Sequence, residues 1–134
     1  MKRVSVFCLL LVTLFSSCQS VVRYGGSYES PLSSSSNAKE GMATYYANEF
    51  HGKKTASGEI YDKNKLTAAS VDLPFGTTVR VTNLDNRKSV VVRINDRMPK
   101  NSKGKIIDLS LAGAKAIEMV QSGVVRVRVE VLNQ

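Results

Sequence analysis

From Thr78 onward, apolar and polar side chains alternate in three separate runs. Val79 and Val81 share one face of Thr78–Asn83, with Arg80 and Thr82 on the other. Val90, Val92 and Ile94 share a face of Ser89–Asp96. Val125, Val127, Val129 and Val131 line one side of Val124–Leu132, opposite Arg126, Arg128 and Glu130. A period of two, with β-branched residues on one side, predicts half-buried strands. Leu84-Asp85-Asn86-Arg87 joins the first two runs as a hairpin turn. Shorter runs at Met42–Ala47, Leu66–Val71 and Ile106–Leu109 predict three more strands. Ser110 is a good N-cap for a helix over Leu111–Val120, and Gly123 is a stop for it. Asn48–Asn64 and Lys100–Lys105 are polar, glycine-containing loops. Six short strands and one short helix close most economically as a small barrel, because closure leaves no unpaired sheet edge.

The pattern before residue 41 is different. Lys2 and Arg3 precede an apolar run, Val4–Phe15. That run is too short to cross a bilayer and suits the core of a signal peptide. It ends in Phe15-Ser16-Ser17-Cys18, which reads as a lipobox with Cys18 as the lipid-attachment residue. Ordinary secretion, with Cys18 a stray thiol, is the alternative. Residues 19–40 are rich in serine and glycine and read as a flexible tether, with a reach on the order of 25 Å. The expected organisation is therefore a signal peptide (1–17), a lipidated cysteine and linker (18–40) and one β-barrel domain (41–134). Gln19, in place of an inner-membrane retention aspartate, points to the outer membrane, facing the periplasm.

Charge and cysteines narrow the partners. The formal net charge is +8, two units of it from Lys2 and Arg3. A basic surface suits a polyanion, an anionic membrane or an acidic cell-wall polymer. For an exported protein the cell wall is favoured, and no nucleic-acid partner is expected. Cys8 would leave with the signal peptide. The domain then has no cysteine and a single histidine, His51, so neither a metal site nor any other cofactor is expected. No phosphate-binding loop, zinc signature or serine-nucleophile elbow is present.

The candidate chemistry is carboxylic. Asp96 lies between Asn95 and Arg97 at the end of a strand, where an amide can orient a carboxylate and a guanidinium can hold it ionised. A turn in which Asp96 accepts backbone N–H bonds is the competing reading. Glu59 precedes Ile60 and Tyr61, and apolar surroundings would raise its pKa toward that of an acid catalyst. A solvated loop glutamate is its alternative. Asp108 is expected to cap the helix that follows it. His51 is expected to line a groove or support a turn. Tyr45, Tyr46, Phe50 and Tyr61 offer flat faces for sugars, or are half-buried barrel residues bonded at their tips.

These residues sit in a string of short motifs: Gly41-Met42-Ala43-Thr44-Tyr45-Tyr46, Phe50–Glu59 (FHGKKTASGE), Leu66-Thr67-Ala68-Ala69, Leu73-Pro74-Phe75-Gly76-Thr77, Val81-Thr82-Asn83-Leu84, Asn95-Asp96-Arg97 and Ile107-Asp108-Leu109-Ser110. In this order and spacing they resemble the rare lipoprotein A (RlpA) family. The resemblance implies a double-psi β-barrel. It also implies endolytic peptidoglycan lytic transglycosylase activity on peptide-poor glycan strands, leaving 1,6-anhydro-N-acetylmuramic acid ends. It marks Asp96 and Glu59 as catalytic, Asp96 as the candidate acid and Glu59 as a second acid/base or a charge stabiliser. Tyr46, His51, Ser70, Asn95 and Arg97 are its substrate-binding candidates. Ser70 stands where the family usually has histidine, and Met98 where it has glycine. The implied partners are peptidoglycan strands and cell-division proteins, with a monomer expected and no C-terminal SPOR domain. A non-catalytic, expansin-like wall-binding lipoprotein is the alternative function.

Overall fold

The computed structural model describes residues 37–133. The expected signal peptide, Cys18 and the tether up to residue 36 lie outside them. The strands are β1 (Ala38–Tyr45), β2 (Thr67–Ser70), β3 (Thr78–Asn83), β4 (Ser89–Arg97), β5 (Lys105–Leu109) and β6 (Val125–Asn133). One α-helix, α1 (Leu111–Ala116), follows β5, and a short 3-10 turn occupies Asn48–Phe50. The strands close into a barrel in the order β1-β5-β2-β4-β3-β6. The expected small six-stranded barrel is therefore present, and the valine faces make its core. Val79, Val81, Val90, Val92, Ile94, Ile107, Leu109, Val125, Val127 and Val129 are all buried. Burying side chains of this size stabilises the fold by about 1.5–3 kcal/mol each.

β1 starts at Ala38, three residues before the expected domain boundary at Gly41. Two of its three extra residues, Lys39 and Glu40, are charged, so the sequence pattern does not reveal them. They are held by backbone pairing to the long β6, from Ala38 opposite Glu130 to Ala43 opposite Val125.

Two strand pairs are parallel, β1 with β5 and β2 with β4, and each contains one extra residue. Ile106 is unpaired between Lys105, opposite Met42, and Ile107, opposite Ala43. Asn95 is unpaired between Ile94, opposite Ala68, and Asp96, opposite Ala69. Such bulges turn a strand and re-aim the side chains around them. Gly41 accommodates the first bulge: a Cβ at this position would stand 2.6 Å from Ile106 Cγ2. The second lies in the Asn95-Asp96-Arg97 cluster itself.

Helix α1 begins as expected, with Ser110 Oγ accepting from Gly113 N–H at 3.2 Å. It ends at Ala116, short of the Val120 that its apolar pattern predicts. The Ile117 carbonyl is captured by the side-chain amides of Asn83 and Asn86, each at 3.0 Å, and Glu118 turns left-handed (φ 54°). Tertiary hydrogen bonds thus take the acceptor that the next helical turn needs.

Candidate active site

One row of paired residues crosses four neighbouring strands. Thr44 on β1 lies opposite Asp108 on β5, Asp108 lies opposite Ala69 on β2, and Ala69 lies opposite Asp96 on β4. Asp108 and Asp96 thus flank a single alanine, two strand spacings or about 10 Å apart along the backbone. Alanine leaves the space between them free of a bulky side chain.

Asp108 is the acid of this row that burial affects. Burial pushes its carboxyl above the usual carboxylate range, and the charge of Asp96 adds to the push. A hydrogen bond from Thr44 Oγ1 at 3.1 Å and the charge of Lys105 oppose it only in part. Two open concavities, of about 550 and 330 Å³, share Thr44, Lys105 and Asp108 in their walls. The first continues past Tyr46, Ala47 and Phe50. The second continues past Met98, Pro99, Asn101 and Lys103. Asp108 therefore stands where the two arms of one surface groove meet. The expected capping role falls instead to Ser110.

Asp96 is oriented by three donors. Ala56 N–H and Arg97 N–H each reach its Oδ1 at 2.8 Å, and the Tyr46 hydroxyl donates to its Oδ2. The Tyr46 ring lies against Tyr61, with centroids 4.5 Å apart, and meets Phe50 edge-on. Burial and the bond to Asp96 raise the Tyr46 phenol well above its ordinary value, so it remains a donor. The neighbours in sequence do not hold the Asp96 carboxylate through their side chains, contrary to expectation. Arg97 Nη1 donates to the carbonyls of Ser70 and Leu73, at 3.2 and 2.7 Å, with its guanidinium stacked over Phe75. Asn95, buried by the bulge, donates its amide to Glu59.

Glu59 departs from expectation in its environment. Ile60 is 59% exposed and Tyr61 turns into the interior, so no apolar pocket surrounds the carboxyl. Arg93 grips it with a two-pronged contact at 2.9 and 3.0 Å, and Asn95 Nδ2 donates at 2.9 Å. The Arg93 guanidinium, then the Asn95 amide, hold it below the usual carboxylate range. It borders a separate concavity with Ile60, Asp62, Lys65, Thr67 and Arg93.

Ser70 and His51 stay apart from the acids. Ser70 is buried, its Oγ accepting from Leu73 N–H at 3.3 Å, and it lines a mainly apolar pocket with Leu73, Ile106, Ile107 and Val131. It bridges no carboxylates. His51 Nδ1 accepts from Lys63 N–H at 3.2 Å, which supports a turn. The Tyr45 and Tyr61 tips are bonded, to the Val120 carbonyl and from Leu111 N–H, as the barrel-tyrosine reading requires. Asp108 is the candidate acid that the sequence reading undervalued. Its signal was a lone acid inside the apolar run Ile106–Leu109, which a barrel wall must bury at least in part.

A closed barrel with two bulged parallel pairs has relatives among solved structures. The Streptomyces papain inhibitor (SPI) matches with a TM-score of 0.58 at 23% identity, over 72% of this chain and 94% of that one. The apo expansin of Clavibacter michiganensis matches with a TM-score of 0.59 at 17% identity, over 72% and 51%. This likeness defines the class as the double-psi β-barrel and extends to fold alone. Residues 38–129 match the family described as "Lytic transglycolase", and the chain belongs to that family. Endolytic peptidoglycan transglycosylase RlpA of Pasteurella multocida is 50% identical over 110 residues, 81% of this chain and 37% of the relative. The protein of the same name from Vibrio cholerae is 51% identical over 94 residues, 70% of this chain and 35% of the relative. The resemblance to the RlpA family is thereby borne out. The chain spans little more than a third of the length of these relatives.

Proposed function

We propose that this chain is an endolytic peptidoglycan lytic transglycosylase acting on peptide-poor glycan strands. The observation that carries the reading is Asp108, a partly buried carboxyl biased toward its protonated form where two arms of an open groove meet. An open groove with two arms meeting at the acid can take a polymer strand across it. Asp108 donates its proton to the glycosidic oxygen after N-acetylmuramic acid, and the C1–O bond breaks. The C6 hydroxyl of the same sugar attacks C1, closing the 1,6-anhydro ring. Its proton passes to the Asp108 carboxylate and restores the acid. No water is consumed, so no carboxylate is needed to activate one. Asp96, held by its three donors, is the negative partner that stabilises the oxocarbenium-like sugar. The sequence reading of Asp96 as the acid is revised accordingly. Tyr46 and Phe50 offer ring surface to one arm, and Lys103 and Lys105 give the other a positive wall.

The protein is anchored through a lipid on Cys18 in the outer membrane, facing the periplasm. It works as a monomer, with cell-division proteins as candidate partners. Cys18→Ser should free it from the membrane fraction; unchanged membrane association would refute the anchor.

Incubation with peptide-free glycan, read by mass spectrometry, tests the activity. Wild type should release 1,6-anhydro ends, and Asp96→Asn and Asp108→Asn should each lower the yield on the order of 100-fold. Wild-type binding to glycan with no anhydro product would replace this reading with the expansin-like one.

A further inference from the structure

The loop from Gly52 to Tyr61 controls both partners that Asp96 receives from outside β4. It contributes Ala56 N–H directly, 2.8 Å from Oδ1. It also contributes the Tyr61 ring, against which lies the Tyr46 ring whose hydroxyl reaches Oδ2. Between Ala56 and Tyr61 stands Glu59, and this side chain ties the loop to the barrel wall. Its two carboxylate oxygens accept from Arg93 at 2.9 and 3.0 Å and from Asn95 at 2.9 Å. The remaining backbone tie to β4, Ser57 N–H to the Asn95 carbonyl, is long at 3.4 Å. A carboxylate gripped by a guanidinium fork and an amide has no proton to give, and its acceptor sites are largely filled. Arg93 projects from the outer face of β4, three residues before Asp96, opposite Thr67 on one side and Thr78 on the other. The strand that carries Asp96 therefore also carries the clamp for the loop that orients it.

We propose that Arg93 is a positioning residue of the transglycosylase site, acting through Glu59 to seat the Ala56 N–H and the Tyr46 hydroxyl on Asp96. The proposal rests on the reading of Asp96 given above. It assigns Glu59 to orientation and not to proton transfer. The two side chains are 44% and 45% exposed, and an ion pair this open adds little to global stability. Small displacements of a catalytic group, in contrast, lower rates strongly. The clamp should therefore matter far more to turnover than to folding.

The test compares Arg93→Gln, Glu59→Gln, their double variant and the charge exchange Glu59→Arg with Arg93→Glu. Three quantities are read: kcat and KM on peptide-free glycan, the melting temperature, and hydrogen-exchange protection of the Ala56 amide by NMR. Each single variant should lose about tenfold to a hundredfold in kcat with KM within about twofold, and should lose Ala56 protection. The double variant should be no worse than either single one. The charge exchange should recover most of both kcat and protection, because the Asn95 amide can turn its oxygen toward the new guanidinium. Arg93→Lys, which keeps the charge without the fork, should fall between wild type and Arg93→Gln. Unchanged Ala56 protection in Arg93→Gln would overturn the proposal. So would a folded charge exchange as inactive as Glu59→Gln, which would put Glu59 on the substrate itself. A melting temperature that falls in step with kcat would make the pair structural and overturn it too. A wild type inert on glycan would sink the activity reading, while the Ala56 measurement would still decide for or against the clamp.

Discussion

The Tyr46 hydroxyl donates to the Asp96 carboxylate across a sequence separation of 50 residues. The phenol is held in place by the Tyr61 ring beneath it and the Phe50 edge beside it. Tyr46→Phe keeps both ring contacts and deletes only the donor. A hydrogen bond to a charged group contributes about 1.5–3 kcal/mol. The variant should therefore lose on the order of tenfold or more in kcat on peptide-free glycan, with KM nearly unchanged and the melting temperature several degrees lower. Full retention of kcat would show that the backbone donors of Ala56 and Arg97 suffice to orient Asp96.

Asp108 should show a conflict between stability and activity. Burial raises its pKa in the folded state, so the folded protein binds its proton more tightly than the unfolded chain does. Stability from this group is complete below the unfolded value, about 3.9, and is lost as pH rises through the folded value. At neutral pH the ionised form is a burden that Asp108→Asn removes, and the asparagine oxygen can still accept from Thr44 Oγ1. The variant should melt at a higher temperature than wild type at pH 7. The difference should vanish near pH 3, while cleavage is lost at every pH. Thermal melts across that range check this, and a lower melting temperature at pH 7 would contradict the assigned burial cost.

Ser70 should matter to stability and not to chemistry. Its hydroxyl makes one local bond, from Leu73 N–H, and it lines a pocket apart from the groove. Ser70→Ala removes that buried bond at a cost of about 1 kcal/mol. Melting should come a few degrees lower, with kcat and its pH profile unchanged. A shifted pH profile would place Ser70 in the proton pathway after all.

Gly41→Ala tests the bulge. The new methyl would meet Ile106 Cγ2 at 2.6 Å and Cγ1 at 2.9 Å. Overpacking of this kind costs about 1–3 kcal/mol. Combined with Ile106→Ala, which removes the clashing atoms, it should cost clearly less than the sum of the two single variants, as measured by chemical denaturation. An additive double variant would mean that the clash is not the cause.

Most of the barrel was legible in the sequence, because a wall with one face in the core writes its own period of two. Val79 and Val81, Val90, Val92 and Ile94, and Val125 to Val129 declared their faces by alternation, and each faces the core. The helix start was legible for the same local reason, since a serine hydroxyl caps a turn three residues away. Asp96 stood out as a candidate from its place in a polar cluster at a strand end.

The surroundings of the acids were not legible, because they depend on residues distant in sequence. Alternation predicts nothing about Asn95, which a bulge inserts between Ile94 and Asp96 and turns toward Glu59. Glu59 looked like an acid against Ile60 and Tyr61, and its charge is set instead by Arg93, 34 residues away. The helix ends where Asn83 and Asn86 take the Ile117 carbonyl, a stop that no residue of the helix encodes. By itself, then, the sequence determined which faces are buried, how many strands there are and which acids stand out, since these follow from neighbours within a few residues. Only the tertiary structure decided which carboxyl is pushed toward its proton and which is locked as a clamp. Desolvation and ion pairing act through space, and closure of the barrel chooses the neighbours.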